Sequence, residues 1–405
     1  MNRLFLHRIV LIAPLLGLAA TPTRAGILSD SDIFSQFNVV VFGDFSSSAD
    51  VEGRTVVGGN LTRGATFELK PGSAASSSFS ALTVYGSSTS ANSFNIVNSG
   101  GVTILGTNRS NITMANGGSV YIGGANAAGG AANTGAITAN GNASIGINGS
   151  SYADLTLNGG GTIKVNGNVS GNISGGPLTY TGSRSGNLNG GATATQVGNL
   201  TLNPPASTVA SFATTFQTQL TALSAQLDAL APNSSTVSSN GKITFNAAPN
   251  SSGVAVFDIN TALFAANSTV QINLDGATSV IINVDVDSCV ADNCSFSLPN
   301  SVNFSNPTDY ASAVLWNFVN ATGLTFTNEF GGSVLAPFAS VSNSSPIDGT
   351  LVAASFTGTG ELHSYPYTGA LPSATPAPEP ASLALIATGI VGLGVGRRIG
   401  SRRVR

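Results

Sequence analysis

The sequence predicts a mainly β fold: a β-solenoid or β-helix-like body with one long amphipathic helix packed along it. Three observations lead there. Between about residues 80 and 202 a short apolar–Thr–apolar unit recurs, each time bounded by Gly or Asn turns. One segment near residues 208–230 has apolar residues at three- and four-residue steps, the spacing of a helix. The composition is that of strands and turns: 49 Gly in 405 residues, 42% hydrophobic and only 8% charged, against about 25% charged in ordinary domains. A β-sandwich, also built of short strands and turns, is the alternative.

The repeated units are Leu82-Thr83-Val84, Val102-Thr103-Ile104, Ile112-Thr113-Met114, Ile137-Thr138-Ala139, Leu155-Thr156-Leu157, Leu178-Thr179-Tyr180 and Leu200-Thr201-Leu202. Strand alternation puts both apolar residues on one side and Thr on the other. Strands this short cannot bury a face alone but can when stacked rung on rung. Corner Gly and Asn accept the left-handed backbone of sharp bends. Residues 26–36 read as a lead-in, and strands begin at Phe37–Phe42. Val209, Phe212, Phe216, Leu220, Leu223, Leu227 and Leu230 form the stripe of the helix, started near Pro204-Pro205 and stopped near Pro232. A lone helix of this length needs tertiary support, so its stripe should lie on the β body. Strands resume at Lys242–Phe245, Val254–Ile259, Val270–Leu274 and Ser279–Val284.

Both ends read as addresses. Arg3 and Arg8, the apolar run Ile9 to Ala20 and the exit Thr23-Arg24-Ala25 make a secretory signal peptide over residues 1–25, with cleavage expected after Ala25. The run is too short to span a bilayer comfortably. At the other end, a linker over 371–380 closes on Pro378-Glu379-Pro380. An apolar stretch over 381–396 follows, then a basic tail over 397–405. Some 16 apolar residues just cross a bilayer, and the arginines stay cytoplasmic. Gly392 and Gly396 make a small face for close helix contact. The expected arrangement is an exported β domain over 26–370 that passes through an inner-membrane intermediate. A tail anchor that is never cut is the other reading of the same arithmetic.

The formal charge of −3 conceals an asymmetry. Eight of the 15 basic residues lie in the two ends, which leaves seven against 18 acidic residues, a balance of about −11. Such a body offers no basic groove, so nucleic acid is not an expected partner. Cys289 and Cys294 are expected to close a small disulfide loop outside the cytoplasm, with two unpaired thiols as the alternative.

No enzyme is expected. Past residue 25 the only histidine is His363, near Glu361, and it reads as structural rather than as part of a Ser/His/Asp triad. Asp44, Asp50 and Glu52 could form an acid pair, but the Gly residues around them point to a turn. Asp285, Asp287 and Asp292 beside the cysteines are weak calcium candidates, without the spacing of an EF-hand loop, and no cofactor is expected. The Thr series reads first as ordinary strand composition and second as a hydroxyl array for glycans or ice. About fifteen Asn-x-Ser/Thr sequons leave surface glycosylation open.

The tripartite end, Pro378-Glu379-Pro380 followed by an apolar helix and arginines, resembles the PEP-CTERM sorting signal. That resemblance implies a Gram-negative host making exopolysaccharide, and an exosortase that removes the tail. It also implies delivery to the cell surface or extracellular matrix. The body resembles the choice-of-anchor A domain. The matching stretches are Phe37–Asp44, Val51-Glu52-Gly53 with Gly58-Gly59-Asn60, the helix at 208–230, Ile282-Asn283-Val284, Trp316-Asn317-Phe318, Gly332–Pro337 and Gly360–His363. Phe338, and the run Asn283 to Asp287, depart from that family's usual residues. The resemblance implies an adhesive, ice-binding-like β-solenoid with a helix along one side and no known catalytic residues. The function expected is therefore that of a biofilm-matrix or surface adhesin binding exopolysaccharide or cell-surface glycans. The alternatives are a polysaccharide-acting solenoid enzyme, disfavoured by the shortage of basic residues, and an ice-binding protein, disfavoured by the irregular Thr spacing.

Overall fold

The computed structural model describes residues 28–372, apart from 73, 90–91, 128–134, 206–211, 266–267, 288 and 291–292. The signal segment, the Pro378-Glu379-Pro380 motif, the apolar stretch 381–396 and the basic tail lie outside the described residues. Among the described residues no helix is long and apolar enough to cross a membrane.

The body is a β-solenoid with three faces. One coil contributes Thr55–Val57 to the first face, Leu61–Arg63 to the second and Thr66–Phe67 to the third. The next coil repeats this with Leu82–Val84, the bridge residue Ser88 and Phe94–Ile96. Successive coils pair in parallel, for instance Val56 with Thr83 and Thr83 with Thr103. Strands of two to five residues persist because each is hydrogen-bonded to the coils above and below.

The order of stacking differs from the order of sequence. From Val39–Val41 the first face grows through 55–57, 82–84, 102–104 and onward to Thr193–Gln196. The chain then restarts at the opposite end with Val254–Asn260 and builds back through 279–285, 314–318 and 333–336. Its last long strand places Leu351, Val352 and Ala353 beside Val39, Val40 and Val41. The first and last coils thus meet in the middle of one continuous stack.

Inward side chains fill the stack. Aliphatic residues such as Ile104, Ile122, Ile147 and Ile163 line the half that follows Val39–Val41. Aromatic residues fill the other half: Phe245, Phe304 and Phe330 have ring centroids within 6 Å of Trp316, at 5.5, 5.9 and 5.3 Å. At one corner a buried amide ladder replaces apolar contact. Asn108 Nδ2 donates to Asn126 Oδ1 at 2.8 Å, and Asn126 Nδ2 donates to Ser151 Oγ at 3.1 Å. Each buried amide is thereby satisfied from the neighbouring coil.

Helix α1 (Asp30–Gln36) occupies the expected lead-in. Its signal is a local capping box: Ser29 Oγ accepts from the Asp32 amide, and the Asp32 carboxylate accepts from the Ser29 amide. Helix α2 (Phe212–Asp228) is the predicted long helix; Val209 lies outside the described residues. Phe216, Leu220, Leu223 and Leu227 are buried against outward residues of the first face, among them Val40, Ile281, Leu315 and Val352. At about 1.5 Å per residue α2 is about 25 Å long. That matches five strand spacings of about 4.8 Å, the distance from Thr55–Val57 to Ser279–Asp285.

Two strand asparagines fix where α2 sits. Asn283 Nδ2 donates to Leu227 O at 2.8 Å. Asn317 Nδ2 donates to Ser224 O and to Asn283 Oδ1, both at 2.9 Å, and Asn317 Oδ1 accepts from Ser224 Oγ at 2.6 Å. Leu200-Thr201-Leu202, read as a strand, is not one. Among the described residues no further coil stands there to pair with it, and Leu202 instead lies over the first face, 4.0 Å from the position of a Cβ at Gly146. The Cys289–Cys294 disulfide closes a short antiparallel hairpin.

Asn317→Ala removes both donors to Ser224 O and Asn283 Oδ1. It is expected to lower stability by about 2–4 kcal/mol. Urea unfolding checks this; an unchanged midpoint would mean that the apolar stripe alone holds α2.

Candidate functional site

Two surfaces deserve comparison: the outer third face and the join between the first and last coils. On the third face, parallel pairing aligns Thr66, Asn95, Thr113, Thr138, Thr156, Ser174 and Asn189 in one outward column. The spacing is that of adjacent strands, about 4.8 Å. The inward neighbours Ile112, Met114, Ile137, Leu155 and Leu157 anchor the strands in the core. The column is uncharged, and its members are exposed or half-buried. Among the described residues the hydroxyls of Thr113, Thr138 and Thr156 are engaged in no side-chain hydrogen bond.

The flanking columns behave differently because they hold the corners. Asn158 Nδ2 donates to Asn140 Oδ1, and Asn140 Nδ2 donates to Met114 O, both at 3.0 Å. On the other flank Asp154 Oδ1 accepts from the Asn172 amide and Asn172 Oδ1 from the Asn187 amide. Rigid corners on both sides leave the threonine column as a fixed row of hydroxyl and methyl groups.

The irregular spacing of threonines along the sequence does not carry over to the surface. Thr113, Thr138 and Thr156 are 25 and 18 residues apart in sequence, yet they pair directly. The longer interval contains residues 128–134, which lie outside the described residues. The Thr series also divides between faces. Thr83 and Thr103 belong to the first face and are buried, with Thr103 Oγ1 2.8 Å from Ser80 Oγ. On the first face Thr179 is half-buried, and Thr201 beside that face is exposed, but the third face is where series members pair in an unbroken row.

The join gathers most of the candidate catalytic residues, in structural roles. Asn38 donates to Gly349 O at 2.8 Å and His363 O at 2.9 Å, and accepts from the Gly53 amide at 3.0 Å. Gly53 is required there, since a Cβ would lie 2.6 Å from Asn38 Cβ. Glu52 accepts from Lys70 Nζ at 2.9 Å and from the Ser364 amide at 3.0 Å. His363 lies between two carboxylates: Nδ1 is 2.6 Å from Asp348 Oδ1, and Nε2 is 3.0 Å from Glu361 Oε2. The hydrogen bond to Asp348 outweighs desolvation and, with the bond to Glu361, raises the imidazole to about 9. Both ring nitrogens are committed and the ring is charged at neutral pH, so it is ill-suited to act as a general base. Ser364 Oγ donates to Pro71 O rather than to the imidazole. Asp44 serves elsewhere, accepting from the Asn60 amide at 2.7 Å.

Asp348 and Asn38 were not singled out in sequence. The signal that would find Asp348 is its separation of 15 residues from His363, close to one coil length. Among the calcium candidates, Asp287 accepts from Thr261 Oγ1. Asp285 is raised by burial and then by the charges of Asp228 and Asp258. Asp292 lies outside the described residues. Among the described residues no three His, Cys, Asp or Glu side chains are placed to hold a metal ion.

Residues 30–126 and 115–364 match a family model described as "Putative Ice-binding-like adhesive domain". Residues 376–403 match the PEP-CTERM protein-sorting motif. No curated protein matches the chain. Among solved structures, the tapirin C-terminal domain of Caldicellulosiruptor kristjanssonii aligns at 13% identity over 89% of this chain and 98% of that one. Its TM-score of 0.22 gives that likeness no weight here.

The histidine contact has a definite sign with pH. Its folded value, about 9, exceeds the ordinary 6.5. Its contribution is therefore fully present below about pH 6.5 and lost as pH rises through about 9. Melting temperature is expected to fall across that interval, and His363→Gln should flatten the fall. An equal slope in both proteins would remove His363 from the join's energetics.

Proposed function

The chain belongs to the ice-binding-like adhesive domain family, and we propose that it is a non-enzymatic adhesin whose third face binds extended neutral polysaccharide. The PEP-CTERM match marks it for export and surface sorting in a Gram-negative bacterium. The observation that carries the binding reading is the uncharged column Thr113, Thr138, Thr156 and Ser174, rigidly spaced and flanked by committed amides. Hydroxyl groups at that repeat can exchange hydrogen bonds with successive sugar units, while Thr methyls contact their apolar faces. An acidic body with a neutral face favours exopolysaccharide of low charge over anionic glycans. The charged, doubly engaged His363 supports the non-enzymatic reading.

Within the family, the order of Val51-Glu52-Gly53, Trp316-Asn317-Phe318 and Gly360–His363 supports placement in the choice-of-anchor A group. We further propose that an exosortase removes the tail near Pro378-Glu379-Pro380, after an inner-membrane stage held by residues 381–396, and that the body joins the matrix. The regular register of the Thr column favours a second reading, binding to the ice lattice, which predicts thermal hysteresis.

Thr138→Val with Thr156→Val keeps size and removes two hydroxyls. Retention on the host's exopolysaccharide is expected to fall about tenfold, equivalent to about 1.4 kcal/mol, with unchanged melting. Undiminished retention would reject the third face as the binding surface. Mass spectrometry of the mature protein is expected to find a C-terminus upstream of Arg397. An intact Arg405 would reject tail removal.

A further inference from the structure

We infer that the stack ends at Thr193–Gln196 in an open edge that docks against the same edge of a second copy of this chain, forming a two-fold dimer. The two ends of the stack are finished differently. At the Val254–Asn260 end the edges are occupied. An antiparallel strand, Ser235–Ser239, lies along Lys242–Asn246. Asn233 fills the edge of Val254–Asn260: its amide donates to Val256 O at 3.1 Å, its Nδ2 donates to Val254 O at 3.0 Å, and its Oδ1 accepts from the Val256 amide at 2.7 Å. The opposite end has no such cover among the described residues. There Thr193–Gln196 pairs with Pro177–Tyr180 alone, and Leu188–Asn189 with Ile173–Ser174 alone.

The backbone shows which groups are left over. The Thr193 and Val197 amides donate to Gly176 O and Tyr180 O of the preceding coil. Strand alternation turns the amides and carbonyls of Ala194 and Gln196 the other way, out of the end of the stack. The side chains agree. Val169, Ile173 and Leu178, one coil further in, are buried. Leu188, Ala192 and Ala194 of the last coil pack on the same core yet stay half-buried. The onward chain does not close over them, because six residues past Gln196 Leu202 already lies beside Gly146, three coils back.

Charge identifies the occupant. From Ser185 to Leu227 the sequence holds no Asp, Glu, Lys or Arg. The neighbouring Arg184 donates to Gly186 O. Exposed edges are ordinarily blunted by Lys, Pro, a bulge or an inward charge, and residues 188–196 contain neither Pro nor a charged residue. Two acidic bodies repel each other, so copies can meet only where charge is missing. The neutral edge meets itself without like-charge cost. A head-to-tail contact would instead have to desolvate Asp228, Lys242 and Asp258 at an end whose edge is already filled. The sense of the coils also suits like ends. All coils run round the stack in one direction, so two like ends turned to face each other meet antiparallel on every face, and Thr193–Gln196 can pair with its own copy. A two-fold contact of this kind closes at two copies.

The test is sedimentation velocity on the secreted protein from about 1 µM to about 500 µM. A reversible monomer–dimer equilibrium is expected, with a Kd of about 10–100 µM, as befits a small interface. Ala194→Pro removes an outward N–H and no bond to the preceding coil, and should weaken the dimer at least about tenfold. Thr195→Lys, at an exposed position, is the second route if the proline variant is destabilised. It brings like charges together across the two-fold and should weaken the dimer by a similar factor, with unchanged melting. Mixing Thr195→Lys with Thr195→Asp should restore a dimer that neither forms alone. A monomer at every concentration overturns the inference and leaves the edge to a different chain. So does an unaltered Kd in both the Ala194 and Thr195→Lys variants, or growth beyond two copies, which would mean head-to-tail stacking.

Discussion

Val39, Val40 and Val41 are hydrogen-bonded on one side to the next coil in sequence and on the other to Leu351, Val352 and Ala353. The two halves of the stack share one core only because this pairing closes. Helix α2 crosses the join and covers it from outside, with Phe216 near Phe37 and Phe79 on one side and Leu227 bonded to Asn283 on the other. Thr350 Oγ1 ties the last strand to the end of α1 through Phe37 O at 2.8 Å and Phe34 O at 3.1 Å. Asn38 and Gly53 then set how closely the coils approach.

Charge is distributed to the same end. Outside the two terminal segments the chain has seven Lys and Arg residues. Arg54 and Lys70 are both near the join, against Glu68 at 3.7 Å and Glu52 at 2.9 Å. Burial raises Glu68 and lowers Arg54, while each opposes the other's shift. A partly buried pair of this kind gains most from also meeting backbone groups. Arg54 does so at Gln36 O, 2.9 Å away. Two of the seven thus serve alignment, while the column on the third face is made of neutral hydroxyls and amides. Structural and adhesive roles therefore occupy different chemistry as well as different places.

The solenoid was legible because apolar–Thr–apolar triplets report alternation directly, and the stripe of α2 because its period is local. Register was not legible, since segments of different length between strands shift numbering without shifting the pairing. Hence Thr113 and Thr138 looked misaligned although they are neighbours. The division of threonines between an exposed face and a covered one depends on α2 and the return segment near Leu202, which no local pattern encodes. Glu52 looked like an isolated polar residue in a turn because its partner Ser364 is 312 residues away, and His363 because Asp348 lies one coil earlier, 15 residues away. Helix α1 was missed although its Ser29 and Asp32 box was present, since so short a helix adds little apolar periodicity.

The stacking order also constrains when the molecule can mature. During vectorial secretion the strand Val39–Val41 emerges early but lacks one neighbour until residues 351–353 follow. Local coils can assemble as they appear, whereas the central junction has very high contact order and must close late. Only about twenty residues separate the end of that strand, Leu351–Gly358, from the expected membrane segment at 381. Completion of the core is therefore coupled in time to arrival of the sorting tail, so the step that would free the protein comes when its final strand is ready to dock.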